Sequence, residues 1–316
     1  MGTPEFAVAS LEALVNSGYN IVGVITAPDK PAGRGLKLHE SAVKKYATEK
    51  GLTVLQPGKL KNPQFLEELR SLKADLQVVV AFRMLPQLVW NMPAMGTINV
   101  HASLLPQYRG AAPINWAIIN GEVETGVTTF RLKHEIDTGD ILLQERIHIG
   151  ENETAGELHD RLKELGAGVL VKTVKGLADG TLKETPQRSV VTSPSPMEQS
   201  VDGDTGLPLK HAPKIFTETC RVEWNKPIAE VHNLIRGLSP FPGAFTYLHD
   251  KLLKIYRSEK EAGVPAISPG TFETDGKNYL KFAGKDGFIV VKQLQIEGKK
   301  KMQIDDFLRG YKLLQP

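Results

Sequence analysis

The sequence predicts an α/β protein in which a doubly wound, mostly parallel sheet is followed by a small C-terminal β-barrel. Three observations predict it. Helix-spaced and buried-strand patterns alternate from Phe6 to Ala178, which implies a parallel sheet covered on both faces. Beyond a Pro-, Ser- and Gly-rich stretch the strands become short and are separated by Gly turns, as in a small barrel. Charge divides at the same place. From Leu207 onward 18 Lys and Arg stand against 12 Asp and Glu, a net +6, while the whole chain carries +3 and the remainder therefore −3.

Phe6 to Ser17 places apolar residues at helical spacing and stops at Gly18, and Ile21 to Ile25 follows as a buried strand. Pro63 to Leu72 reads as a helix, Leu76 to Ala81 as a buried strand, Thr97 to Val100 as a short strand and Pro113 to Asn120 as a helix. Val127 to Leu132 and Ile141 to Ile149 form a β pair, and Thr154 opens a long amphipathic helix to Ala178, closing a domain over residues 1–184. Residues 185–206, with Ser193-Pro194-Ser195-Pro196 and Asp202-Gly203-Asp204-Thr205-Gly206, lack apolar periodicity and read as a linker. In the domain 207–316 a helix is expected at Ile228 to Leu238, a turn at Pro240-Phe241-Pro242-Gly243, and strands at Ala244 to Leu248, Lys254 to Tyr256 and Gly287 to Leu294. The loop Gly2-Thr3-Pro4 has no strand before it, although the first such loop of a doubly wound sheet follows a central strand. The expectation is that Met1 is an internal methionine at the end of that strand, with several more apolar residues upstream in the native polypeptide.

Composition narrows the class. With 316 residues, 41% hydrophobic and 24% charged, the chain has ordinary globular usage and enough length for two cores at about 150 residues per domain. No apolar run approaches the roughly 18 residues of a membrane helix, and Met1 to Glu5 lacks a secretory signal, so a cytoplasmic protein is expected. The single cysteine, Cys220, excludes an internal disulfide and a cysteine-rich zinc site. A basic back third is compatible with a solubilising surface and equally with an anionic partner such as nucleic acid.

Candidate chemistry sits at the end of the strand before residue 102. Asn99 and His101, two apart, leave the same face at the carboxyl end, where open α/β sheets place their sites. A hydrogen-bonding amide beside an imidazole suits addition to a carbonyl, though strand-end polar residues also merely cap loops. Asp137, in Glu135-Ile136-Asp137-Thr138-Gly139-Asp140, could orient that imidazole or simply form an Asx turn before Gly139. The loop Ser103-Leu104-Leu105-Pro106-Gln107-Tyr108-Arg109-Gly110 holds apolar surface beside the pair, as a flat aromatic ligand would want.

These residues together carry a resemblance. Asn99-Val100-His101-Ala102-Ser103-Leu104-Leu105-Pro106, Arg109-Gly110-Ala111-Ala112-Pro113 and Asp137-Thr138-Gly139-Asp140 resemble the formyltransferases that use 10-formyltetrahydrofolate, whose chemistry is formyl transfer to an amine. Gly2-Thr3-Pro4-Glu5-Phe6, Pro28-Asp29-Lys30-Pro31-Ala32-Gly33-Arg34-Gly35, Glu223-Trp224 and Pro240-Phe241-Pro242-Gly243-Ala244 are similar to one branch, which acts on initiator methionyl-tRNA in translation initiation. The resemblance covers nearly the whole chain. It implies a Rossmann-like catalytic domain and an oligonucleotide-binding-fold-like (OB-like) barrel that grips the tRNA backbone, which gives the +6 a reason.

Residue by residue, the resemblance implies Asn99, His101 and Asp137 as the catalytic trio, with Asn99 and His101 holding the oxyanion and Asp137 orienting His101. It further implies that Phe82, Arg83, Met84, Leu85, Ser103, Leu104, Leu105, Pro106 and Asp140 line the folate pocket. Lys30, Arg34 and Lys37, in a loop that composition alone reads as a surface turn, would meet the tRNA acceptor end, and Lys214 would face the tRNA. A monomer without a metal is implied. The segment Ala81-Phe82-Arg83-Met84-Leu85-Pro86 is one residue shorter than the family's usual loop, and residues 193–206 are longer than its usual linker.

Other readings fit less of the chain. A formyltransferase acting on a sugar-nucleotide amine shares the trio and a similar second domain, but lacks the Pro-Ala-Gly-Arg-Gly loop. An NAD-dependent oxidoreductase wants G-x-G-x-x-G after the first strand, which Gly2-Thr3-Pro4-Glu5-Phe6-Ala7 does not match. A non-catalytic RNA-binding protein leaves Asn99, His101 and Asp137 unexplained.

Overall fold

In the computed structural model, which describes residues 1–32, 37–187, 208–311 and 313, the chain divides into two units. The first comprises residues 1–109, 126–147 and 159–210, and the second residues 110–125, 148–158 and 211–316.

The first unit opens with α1 (Glu5–Asn16), which buries Phe6, Ala7, Ser10 and Leu14 at helical spacing and ends where Gly18 turns left-handed. The chain continues through β1 (Val24–Ile25), the hairpin strands β2 (Lys30–Ala32) and β3 (Lys37–His39), α2 (Ala42–Glu49), β4 (Val54–Leu55), α3 (Pro63–Ser71) and β5 (Gln77–Val80). Both middle helices start as their sequences dictate. The Ser41 hydroxyl accepts from the Lys44 N–H at 3.1 Å, and the Asn62 amide oxygen accepts from the Gln64 N–H at 2.9 Å with Pro63 in the first turn. After the short α4 (Gln87–Trp90) come β6 (Thr97–His101), the two-residue β7 (Arg109–Gly110), β8 (Glu124–Arg131), β9 (Ile141–His148) and the long α6 (Ala155–Ala178).

The first unit mixes parallel and antiparallel pairing. β1 lies parallel to β4, and β5 to β6 with Val80 opposite Val100, while β8 runs antiparallel to β6 with Thr128 opposite His101. The sheet order β5-β6-β8-β9 buries the apolar runs of β5 and β6 as a doubly covered sheet requires. The elements expected at residues 6–17, 63–72, 76–81, 97–100, 113–120 and 154–178 are all present within a residue or two. The strand expected from Ile21 shortens to Val24–Ile25, and α2 has no counterpart among the expected elements because its face is narrow and mostly polar.

Met1 and Gly2 thread between β1 and β5. The Gly2 N–H donates to the Ile25 carbonyl (3.0 Å), the Val80 N–H donates to the Met1 carbonyl (2.9 Å), and the Met1 amino group donates to the Val78 carbonyl (2.6 Å). Burial lowers that amine from its usual 8.0 to about 5. Beside it lies a cavity of about 140 Å³ walled by Val22, Ile25, Leu76, Val78 and Leu14, with the buried Ser10 hydroxyl making no hydrogen bond. A Cβ on Gly2 would stand 2.4 Å from the Ala7 Cβ and 2.9 Å from the Val80 carbonyl oxygen, so only glycine passes there.

In the second unit α5 (Pro113–Ile119) packs on α7 (Ile228–Gly237), where the Asn115 amide donates to the Gly237 carbonyl at 2.7 Å. The Ala111 and Ala112 N–H groups both donate to the carbonyl of Ala212, in β10 (His211–Ala212). An antiparallel sheet follows from β11 (Ala244–Leu248), β12 (Lys251–Ala262), β13 (Phe272–Thr274), β14 (Leu280–Ala283), β15 (Gly287–Ile296) and β16 (Met302–Gln303), and α8 (Ile304–Gly310) seals one end. The order is β11-β12-β15-β14-β13, with β16 on β15. Among the described residues this path does not close, so the barrel expected from the short strands is a curled, open antiparallel sheet. A long β12 with a bulge at Arg257 supplies the curl, which the short Lys254-to-Tyr256 expectation missed.

Its core gathers Val231, Ile235, Leu253, Phe282, Ile289 and Leu294. Trp224 stacks on Phe282 at 4.8 Å between centroids and donates to the Thr246 hydroxyl at 2.9 Å. Cys220 is buried here as a small core residue, its thiol raised by desolvation. No helix among the described residues is long and apolar enough to cross a membrane.

Candidate active site

The parallel pairing of β5 with β6 brings their carboxyl ends level, so the loops after Val80 and after His101 leave the same sheet edge. Period-two alternation puts Asn99 and His101 on one face of β6. Asn99 is half-buried while His101 is 6% exposed.

The imidazole is held by backbone and carboxylate. His101 Nε2 lies 2.9 Å from the Tyr108 carbonyl oxygen, which only accepts, so Nε2 carries the proton in the neutral ring. Nδ1 then faces Asp137, with Oδ2 at 3.9 Å, and Phe130 meets the ring edge-on at 6.4 Å. At 3.9 Å the carboxylate acts through charge rather than a hydrogen bond. The geometry therefore joins Asn99, His101 and Asp137 in one place, although Asp137 belongs to the connection between β8 and β9.

The loop after β6 is cross-braced by residues that sequence reasoning did not single out. The buried Thr128 hydroxyl donates to the Ser103 carbonyl (2.7 Å) and accepts from the Leu105 N–H (3.1 Å) and the Gln144 amide (2.8 Å). Gln144 donates also to the Leu105 carbonyl (2.8 Å), and the Ser103 hydroxyl closes the loop onto the Gln107 carbonyl (2.7 Å). Ser103 and Leu105 thus face inward, at 0% and 3% exposure. The Leu105–Pro106 bond is cis, and Leu104 is partly exposed. A polar Thr128 within the otherwise buried run of β8, and Gln144 after Leu142-Leu143 in β9, are the sequence signal that points to this brace.

On the neighbouring loop Phe82 is half-buried, Met84 is 73% exposed and Leu85 anchors the core. Arg83 spends its guanidinium on the carbonyls of Pro57 and Gly58. Asp140 pairs with Lys133 at 2.8 Å. Phe82, Met84 and Leu104 thus leave apolar surface accessible on the loops after β5 and β6, while Ser103 and Leu105 face inward and Arg83 is tied to the carbonyls of Pro57 and Gly58.

Of the basic residues, Lys30 is exposed in β2, on a hairpin whose base Asp29 clamps by accepting from Lys44 and from the Gln56 amide. Those two partners hold the Asp29 carboxyl below its usual range. Lys37 begins β3 opposite Ala32, and Arg34 lies outside the described residues. In the second unit Lys214 is exposed, its ammonium 5.6 Å from the Phe216 ring.

The formyl transferase family matches residues 1–174, and the formyl transferase C-terminal domain matches residues 214–312. The methionyl-tRNA formyltransferase of Bacteroides fragilis is 52% identical over 318 residues, covering 99% of this chain and 94% of that protein. Its namesakes from Phocaeicola vulgatus and Flavobacterium johnsoniae are 54% and 49% identical over 99% and 98% of this chain and 94% of their own length. Among solved structures, an N-formyltransferase from Helicobacter canadensis, in complex with folinic acid and dTDP-3-aminofucose, superposes with a TM-score of 0.67 over 93% of this chain and 97% of that one, at 23% identity, and so shares the fold. The chain belongs to the formyl transferase family.

Proposed function

We infer that this chain transfers the formyl group of 10-formyltetrahydrofolate to the α-amino group of the methionine on initiator methionyl-tRNA, giving formylmethionyl-tRNA for translation initiation. The acceptor rests on one observation: identity of about half, along almost the whole chain, with relatives named for that substrate.

The trio supplies the chemistry. The amine attacks the formyl carbon, a C–N bond forms, and the tetrahedral oxyanion is held by the Asn99 amide. As placed, the one N–H of neutral His101 is engaged with Tyr108, so Nδ1 is the base that takes the amine's proton. Once protonated it becomes a second donor, and the Asp137 charge stabilises the imidazolium. Collapse breaks the bond between the formyl carbon and the folate nitrogen, which receives the proton. Phe82, Met84 and Leu104 would meet the folate ring, with Arg83, Leu85, Ser103, Leu105, Pro106 and Asp140 shaping or bordering that pocket. Each oxyanion donor is typically worth about 3 kcal/mol.

The remaining assignments belong to the same proposal. Residues 1–184 are the catalytic domain, 185–206 the linker and 207–316 an OB-like tRNA-binding domain, whose net positive charge suits phosphates. Lys30, Arg34, Lys37 and Lys214 are the tRNA contacts, and the protein works as a cytoplasmic monomer.

Transfer of labelled formyl from 10-formyltetrahydrofolate to methionylated initiator tRNA, with elongator methionyl-tRNA as control, tests the reading. Formylation of the initiator alone, abolished in His101→Ala, is expected. Folate turnover without tRNA formylation would move the acceptor to a small amine such as that of a sugar nucleotide, and absence of folate binding would overturn the assignment.

A further inference from the structure

Gln187 falls in a stretch whose composition says only linker, yet its carboxamide uses its full hydrogen-bonding capacity at the active site. Its Nε2 donates to the backbone carbonyls of Asp137 (3.0 Å) and Gly139 (2.7 Å), and its Oε1 accepts from Arg109 Nε (3.1 Å) and from a second Arg109 nitrogen (2.6 Å). Two carbonyls on one side and a guanidinium on the other leave the amide a single sensible orientation. The backbone approaches because Thr185 exchanges two hydrogen bonds with Ile141, at 2.7 and 2.8 Å.

The turn that Gln187 grips carries bonds of its own, from the Thr138 hydroxyl to the Glu135 carbonyl (3.1 Å) and from the Arg131 N–H to the Asp140 carbonyl (2.9 Å), and Gln187 adds two more at its centre. Asp137 is left-handed at φ +55, a conformation that Asp adopts more readily than most side-chain-bearing residues but that glycine alone takes freely. Gly139 is pressed so closely on β8 that a Cβ there would stand 1.5 Å from the Arg131 carbonyl oxygen. Burial pulls the Arg109 guanidinium down from its usual range, with the charges of Asp137 and Glu135 opposing, so Arg109 has a strong preference for a partner that accepts.

We propose that Gln187 is a positioning residue for formyl transfer: its carboxamide clamps the Asp137–Gly139 turn to Arg109 and thereby sets the approach of the Asp137 carboxylate to His101. This rests on the roles given above to His101 and Asp137. The variant Gln187→Glu separates the two halves of the clamp, since a carboxylate keeps the Arg109 side and repels the carbonyls of Asp137 and Gly139. Gln187→Ala removes both.

The experiment measures kcat and KM for 10-formyltetrahydrofolate and methionyl-tRNA, the unfolding temperature, and the 15N resonances of the His101 imidazole in wild type and both variants. Misplacing one member of a reacting set typically costs about 10- to 100-fold. The expected result is a kcat fall of that size in Gln187→Glu, with KM for methionyl-tRNA and unfolding temperature unchanged and the His101 resonances shifted. In Gln187→Ala the same shift is expected together with a lower unfolding temperature. Wild-type kcat or unshifted His101 resonances in folded Gln187→Glu would overturn the proposal. A wild-type protein that does not formylate methionyl-tRNA would instead overturn the functional reading, and the His101 resonances would still judge Gln187.

Discussion

His101 directs Nε2 at the carbonyl oxygen of Tyr108, 2.9 Å away, and this one bond settles which ring nitrogen is left without a proton in the neutral ring. Tyr108 is itself held, at φ +61, with its N–H donating to the Lys210 carbonyl at 2.6 Å. The carbonyl that selects the tautomer is thus part of a braced loop.

A glutamine at 101 can still donate to that carbonyl but cannot take a proton. His101→Gln is therefore expected to keep its unfolding temperature near that of wild type and to lose about a hundredfold or more in kcat/KM, read in the labelled-formyl assay. Appreciable residual activity would remove His101 from proton transfer.

Thr128 is fully buried with its hydroxyl in three hydrogen bonds. Thr128→Val leaves the Leu105 N–H and the Ser103 carbonyl without that partner, an expected loss of about 2–4 kcal/mol. Urea unfolding measures the loss. Thr128→Ser, which retains the hydroxyl, should recover most of it.

In the second unit His232 is 2% exposed, bonded through Nδ1 to the Ser258 hydroxyl at 3.0 Å, with Nε2 making no hydrogen bond. Desolvation first, then the charges of Arg236 and Lys260, lowers it from 6.5 to about 4. Below pH 6.5 the unfolded chain gains a proton that the folded chain refuses, so stability falls as pH drops from about 6.5 to about 4, by up to about 3 kcal/mol. Urea unfolding across that window should show a shallower slope in His232→Leu than in wild type.

Much of this protein was legible in its sequence. Alternating apolar periods and punctuating Gly and Pro placed most helices and strands, because burial of one face is a local pattern. Asn99 and His101 shared a face by strand periodicity alone. What the periods could not carry was curvature: the bulge at Arg257 and the open order of the second sheet depend on how long strands bend over a common core.

Contacts between distant segments were decided only by the tertiary structure. Asp137 reaches His101 because the connection after β8 folds back across Phe130. The loop from Ser103 to Tyr108 keeps its shape because Thr128 and Gln144 face it from the neighbouring strands. Gln187, silent in the sequence, gains its place from the pairing of Thr185, two residues before it, with Ile141. A sequence displays propensity and period, which are properties of neighbours along the chain. Hydrogen bonds between residues 50 and 78 positions apart exist only once the sheet has brought their backbones together.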